Sequence, residues 1–268
     1  MQHSTSGVHH TTPGLQFAPA RRLDDGLVER TFTLGGTPGD SLDGIPGILW
    51  TPESATASAP ARPVLLGHPP LGLDRMYPRL VARARACAAQ GYAAATIELP
   101  GSGERPRIPV MDQARADLRQ ALAAGAPVTD EIIDALILPL VDQAAGETRA
   151  ALDALLALPE LDGPVGYAGG VISLGVRLAA TEPRIAAATL FAGSYIPRSI
   201  VEEARKVTLP LHVLLQWDDE GNDRQAALEL FDAFGSAEKG LNANMGGHTG
   251  VPEHAGESAD GFFARHLR

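Results

Sequence analysis

Residues 163–180 read GPVGYAGGVISLGVRLAA. A short apolar run, a knot of glycines and a second apolar run with helical spacing follow one another without a break. That order spells a strand, a tight turn and a helix. Gly166-Tyr167-Ala168-Gly169-Gly170 has the spacing of the G-x-S-x-G elbow, with Ala168 in the central place. The central residue of such a turn takes an unusual backbone angle, and side chains two positions to either side would clash, which explains glycine at both flanks. A helix starting there aims its N–H groups and positive dipole end at any negative charge that develops nearby. A second register, Gly169-Gly170-Val171-Ile172-Ser173, centres on Val171 and puts Ser173 where a glycine belongs. It fits the glycine rule less well, and Ser173 then lies inside the helix as a packing residue.

Strand and helix alternate on both sides of this stretch. The segments 28–34 and 47–51 read as an opening antiparallel edge, and 63–68 as a buried parallel strand ending in a turn. A helix near 76–90 and a strand at 92–99 follow. Beyond the glycines come strand 185–192 with helix 199–206, strand 210–217 with helix 223–235, strand 240–244 and a last helix near 257–267. This rhythm implies an α/β domain with a mainly parallel sheet and helices on both faces, over residues 21–268. In such sheets ligands bind beyond the carboxyl ends of the strands. Residues 103–145 interrupt the rhythm with two helical stretches and read as a small helical cap insertion, followed by a separate helix at 146–158. Ile132, Ile133, Leu136, Ile137, Leu138, Leu140 and Val141 give the second stretch more apolar surface than one face needs. It serves as core or as the roof of an apolar pocket. Residues 1–20 carry His3, His9 and His10 without carboxylate or cysteine company and read as a flexible, solvated arm.

The 268 residues suit one domain, with 44% hydrophobic and 20% charged residues. A net charge of −10 argues against nucleic acid or an anionic membrane as the main partner and leaves a small-molecule substrate. No apolar run approaches the ~20 residues of a membrane span, and the N-terminus shows no secretory signal pattern, so a cytoplasmic location is the default expectation. The single cysteine, Cys87, sits in a helical stretch and reads as a buried packing residue; no metal or other cofactor is implied. Oligomeric state stays open, with a homodimer among the options.

Three further segments carry chemistry. Gly246-Gly247-His248-Thr249-Gly250 follows the last strand, and a histidine freed by neighbouring glycines suits a general base. The strand LPLHVLLQW runs into Asp218-Asp219-Glu220, where a carboxylate can hold the far imidazole nitrogen; Asp219 is the first choice and Asp218 the second. The order 168, 219, 248 is the elbow–acid–histidine order of this type of site. Gly67-His68-Pro69-Pro70-Leu71-Gly72 follows the third strand, where an oxyanion loop belongs. Proline has no N–H to give, so Leu71 or Gly72 and the N–H of Gly169 are the candidate donors. Pro70, Tyr167 and Ser102, the last in Leu99-Pro100-Gly101-Ser102-Gly103, are candidate pocket residues. Asp74 and Arg75 read as a surface pair.

Taken together, GHPPLGLDR, ELPGSGERP, PVGYAGG, QWDDE and GGHTGVP resemble the α/β-hydrolases of the bacterial dienelactone-hydrolase-like group, over about residues 28–267. The resemblance implies an α/β-hydrolase fold and Ser- or Cys-Asp-His chemistry on esters or lactones, with the roles falling on position 168, Asp219 and His248. No cysteine lies near the elbow, so a thiol mechanism does not fit. Ala168 is the main departure. Either the natural residue is serine and the alanine silences turnover, which the retained glycines, His248 and Asp219 favour, or the alanine is native. In the second case the chain binds a ligand or carries out a His-assisted elimination or cyclisation.

Overall fold

The computed structural model describes residues 14–23, 25–35, 44–67, 70–193, 195–248 and 251–267. His68, Pro69, Thr249, Gly250 and the histidines of residues 1–13 lie outside the described residues.

The antiparallel edge consists of β1 (Leu15–Phe17), β2 (Arg21–Arg22), β3 (Leu27–Leu34) and β4 (Ile45–Pro52). The parallel part holds β5 (Pro63–Leu66), β6 (Ala93–Ile97), β7 (Val165–Ala168), β8 (Ile185–Ala192), β9 (Leu211–Gln216) and β10 (Lys239–Asn244). They form one sheet in the order β1-β3-β4-β6-β5-β7-β8-β9-β10, with β2 on β3. All contacts from β6 to β10 are parallel. Every residue of β5 and of β6 is buried, as expected of strands covered on both faces.

Helices α1 (Leu73–Ala89) and α7 (Glu253–His266) cover one face. The other is covered by α3 (Asp130–Leu155), α4 (Ile172–Thr181), α5 (Arg198–Ala204) and α6 (Arg224–Ala233), with α2 (Pro109–Ala123) packed on α3. The chain leaves β5 for α1 on one face and leaves the adjacent β7 for α4 on the other. The carboxyl ends of β5 and β7 therefore flank the crevice where ligands bind in sheets of this kind.

Two expectations change. Residues 15–17 belong to the sheet, not to a loose arm: Leu15 is buried and Phe17 meets Phe32 edge-on at 5.8 Å. The alternation Leu-Gln-Phe was too short to register as a strand. The expected break near residue 146 is absent, because α3 is one 26-residue helix that passes through Gly146. Its second half buries Ala151, Leu152 and Leu155 against the core, and its first half, with α2, leaves Ile132, Ile133, Leu136 and Leu138 partly exposed. Burial of the second half makes up for the low helix propensity of glycine.

Candidate active site

β9 and β10 end side by side, with Gln216 in register with Asn244. Their loops bring the acid and the histidine together. His248 Nδ1 lies 2.7 Å from Asp219 Oδ2. The Asp219 side chain is 4% exposed and that of His248 58%. Asp219 Oδ1 accepts the Gly221 N–H at 3.1 Å, so both carboxylate oxygens are engaged. Asp218 is exposed. With Nδ1 donating to the carboxylate, the imidazole presents Nε2 as its basic atom. The ring packs edge-on against Phe191 at 5.4 Å, and its Cε1 is 3.1 Å from where a Cβ on Gly193 would be.

The bend between β7 and α4 differs from the expectation. Ala168 is the last strand residue, paired in register with Leu66 and Thr189. Positive φ falls instead on Gly169 (76°) and Gly170 (78°), and on no residue other than glycine among the described residues. The methyl of Ala168 is buried in the core cluster beneath α1 and α7. Thr189, the partner of Ala168 on β8, lies two residues before Phe191, whose ring the imidazole meets. Val171 stands immediately before α4 as its N-cap residue. Its backbone is ordinary extended (φ −71°, ψ 118°), so the central residue of neither register carries the unusual angle, which the two glycines between them take.

The Gly169 N–H also departs from its expected role. It donates to Thr189 O at 2.7 Å and continues the sheet, so it is not free for an oxyanion. The first helix N–H groups of α4 that have no i−4 carbonyl are those of Ile172 and Ser173. Ala168 O accepts from Gly67 N at 2.7 Å and from Arg83 Nη2 at 2.7 Å. Gly67 packs backbone to backbone on the bend: a Cβ there would come within 2.3 Å of Gly169 C and O. Arg83, on α1, is a contact that sequence spacing gave no sign of.

Across the crevice, Pro70 and Leu71 are exposed, and Gly72 (φ 89°) is the N-cap residue of α1. Asp74 and Arg75 are exposed in its first turn. The next N–H, that of Leu73, donates to Glu98 Oε2 at 3.2 Å. Ser102 does not face a free pocket. Its hydroxyl donates to Glu98 Oε1 at 2.7 Å, and Glu98 is itself 5% exposed. A carboxylate at a helix N-terminus is favourable, so Glu98 ties the loop after β5 to the loop after β6. Arg105 anchors the second loop by two bonds to Glu147 of α3, at 2.6 and 2.7 Å. Tyr167 is a core residue rather than a pocket one. It is 1% exposed, its hydroxyl has no partner among the described residues, and burial pushes the phenol pKa well above its usual range. Strand alternation turns it to the α3–α6 side, where Gly175 passes over its ring.

Beside the acid loop runs an open groove of about 620 Å³, lined by Trp217, Asp219, Asn222 and Arg224 among others. Among the described residues no group of three or more His, Cys, Asp or Glu is placed to hold a metal ion, and no helix is long and apolar enough to cross a membrane.

No protein-family model and no curated protein matches the chain. Solved structures do. The native structure of a cold-adapted esterase from an Arctic intertidal metagenomic library is 26% identical, covers 94% of this chain and 100% of its own, and superposes with a TM-score of 0.65. An acetyl xylan esterase from Paenibacillus sp. R4 is 15% identical over 94% of this chain and 89% of its own, with a TM-score of 0.64. A dienelactone hydrolase from Anabaena variabilis is 18% identical over 90% and 99%, with a TM-score of 0.56. The last two establish the fold alone.

Proposed function

From an α/β-hydrolase fold shared with esterases and a dienelactone hydrolase, we propose that this chain hydrolyses carboxylic esters or lactones of small hydrophobic molecules with a His–Asp pair and, among the described residues, no side-chain nucleophile at the bend between β7 and α4. The observation that carries the reading is the 2.7 Å bond between His248 and Asp219 at the carboxyl edge of the sheet, with the His248 side chain 58% exposed. Either register of the bend puts a hydrocarbon at its centre, Ala168 or Val171. Water is then the nucleophile. His248 Nε2 takes a proton from it as the oxygen adds to the carbonyl carbon. Asp219 steadies the imidazolium that forms. The oxyanion faces the N–H groups at the start of α4. Collapse of the tetrahedral species expels the alkoxide, which takes the proton back from His248, leaving acid and alcohol. The half-exposed apolar residues of α2 and α3 favour a hydrophobic acyl or alcohol group.

A serine restored at position 168 would hydrolyse through an acyl-enzyme. That reading is weaker, because Ala168 lies within the strand with its methyl in the core. A serine at position 171 would stand next to the helix start and one residue before the Ile172 N–H.

The test is hydrolysis of short p-nitrophenyl esters and a panel of lactones by the chain, His248→Ala, Ala168→Ser and Val171→Ser. We expect slow turnover without a burst that His248→Ala abolishes, a gain with a burst in Val171→Ser, and no gain in Ala168→Ser. Turnover that survives His248→Ala would refute the proposal. No turnover on any acyl substrate, with small molecules still bound, would make the chain a ligand-binding protein.

A further inference from the structure

We propose that Gln216 is a positioning residue that holds the histidine loop against the acid loop, a role that rests on the reading of His248 as the base. His248 and Asp219 sit on loops after different strands, and the glycines around His248 leave its backbone little intrinsic preference. Gln216 ends β9, three residues before Asp219, and is 1% exposed. Its Nε2 donates to Gly247 O at 3.1 Å, the carbonyl of the residue just before His248. Its own carbonyl faces the Asp219 N–H at 3.4 Å. One residue thus touches the backbone of both loops.

Core stability does not account for a glutamine here. The preceding residues of the strand are HVLL, and a leucine would continue that pattern. The amide is buried, yet its Oε1 has no partner among the described residues. A buried polar atom left unbonded is unfavourable. The cost is tolerated at a place where the other end of the same group sets the height of the histidine. The Asp218 N–H also reaches the histidine loop, on Gly246 O at 3.3 Å, but the Gln216 bond is the one that adjoins His248; without it His248 can shift while Asp219, bonded to Gly221, stays. The imidazole then loses the carboxylate that keeps the proton on Nδ1.

Two variants test this, Gln216→Glu and Gln216→Met. The first turns a donor into an oxygen facing the Gly247 carbonyl; the second keeps the length and removes the polar end. Thermal unfolding reports whether each folds. In folded variants we expect kcat on p-nitrophenyl acetate to fall about 10-fold or more with KM changed by less than about threefold. Nitrogen-15 spectra of the His248 ring should move from the Nδ1–H toward the Nε2–H tautomer. Unchanged kcat and tautomer in a folded variant overturn the proposal, as does failure of both variants to fold, which would make Gln216 structural. Absence of ester turnover in the parent chain defeats the hydrolase reading, and Gln216 is then judged by the tautomer alone.

Discussion

Replacing Asp219 by asparagine changes few atoms and has a consequence fixed by the geometry of the site. Oδ1 accepts the Gly221 N–H at 3.1 Å, and Oδ2 faces His248 Nδ1 at 2.7 Å. An asparagine keeps its oxygen toward Gly221, because an NH2 there would meet another N–H. Its NH2 then faces Nδ1. Two donors cannot share that bond, so Nδ1 must accept and the ring proton moves to Nε2. A ring protonated on Nε2 cannot take a proton from water. The side chain is otherwise the same size, so the chain should still fold. General-base assistance contributes ~10²–10⁴-fold, and a wrong tautomer in a serine protease triad loses ~10⁴ in kcat. We expect a fall of about 10²–10⁴ in kcat for Asp219→Asn, with KM nearly unchanged. The assay is steady-state hydrolysis of the best p-nitrophenyl ester, with the ring tautomer read by nitrogen-15 spectra. A kcat within a few-fold of the parent, with the tautomer visibly switched, would refute the link between tautomer and turnover.

Other perturbations probe the frame. Glu147→Ala leaves Arg105, whose side chain is 11% exposed, without its carboxylate, and should cost about 3–5 kcal/mol in urea unfolding; Arg105→Met with Glu147→Leu should recover much of the loss. Gly67→Ala places a Cβ 2.3 Å from backbone atoms of Gly169, and should cost about 4 kcal/mol or more, or prevent the chain from accumulating folded. Burial lowers the His212 pKa below its ordinary value, with Arg265 adding to the effect. The unfolded chain then binds the proton more readily, so this histidine's contribution is intact above ~6.5 and is lost as pH falls below it. His212→Leu should flatten the decline of the unfolding midpoint between neutral pH and mildly acid pH; an unchanged slope would contradict the assignment.

The parallel sheet was legible because its strands are short apolar runs separated by helical periods, and β8, at 185–192, matches its expected range at both ends. The acid and histidine were legible because each follows a strand at the carboxyl edge, and order along the chain is enough to suggest that they meet. The unusual backbone angle falls on Gly169 and Gly170, one and two residues past the expected Ala168. The glycine pattern of 166–170 matches the elbow spacing, but β7 needs Gly166 to Ala168 as strand, and the turn slides to the next two glycines. Spacing alone does not say where a strand stops. The contacts of Gln216, Glu98 and Arg83 were invisible for a different reason. Each joins segments far apart in sequence, and nothing local to a buried polar residue names its partner.

The unbroken course of α3 ties the α2–α3 pair to the sheet. One end of the rod is wedged under the sheet by Ala151, Leu152 and Leu155; the other, before Pro139, packs on α2 and keeps Ile132, Ile133, Leu136 and Leu138 partly exposed, with Ile137 buried among them. A beam of this construction is cantilevered, not hinged. Raising its tip would pry at the sheet's underside and pull on Glu147 and the Arg105 loop. Any bending of the pair is therefore left to the stretch before Pro139, while the beam itself stays put.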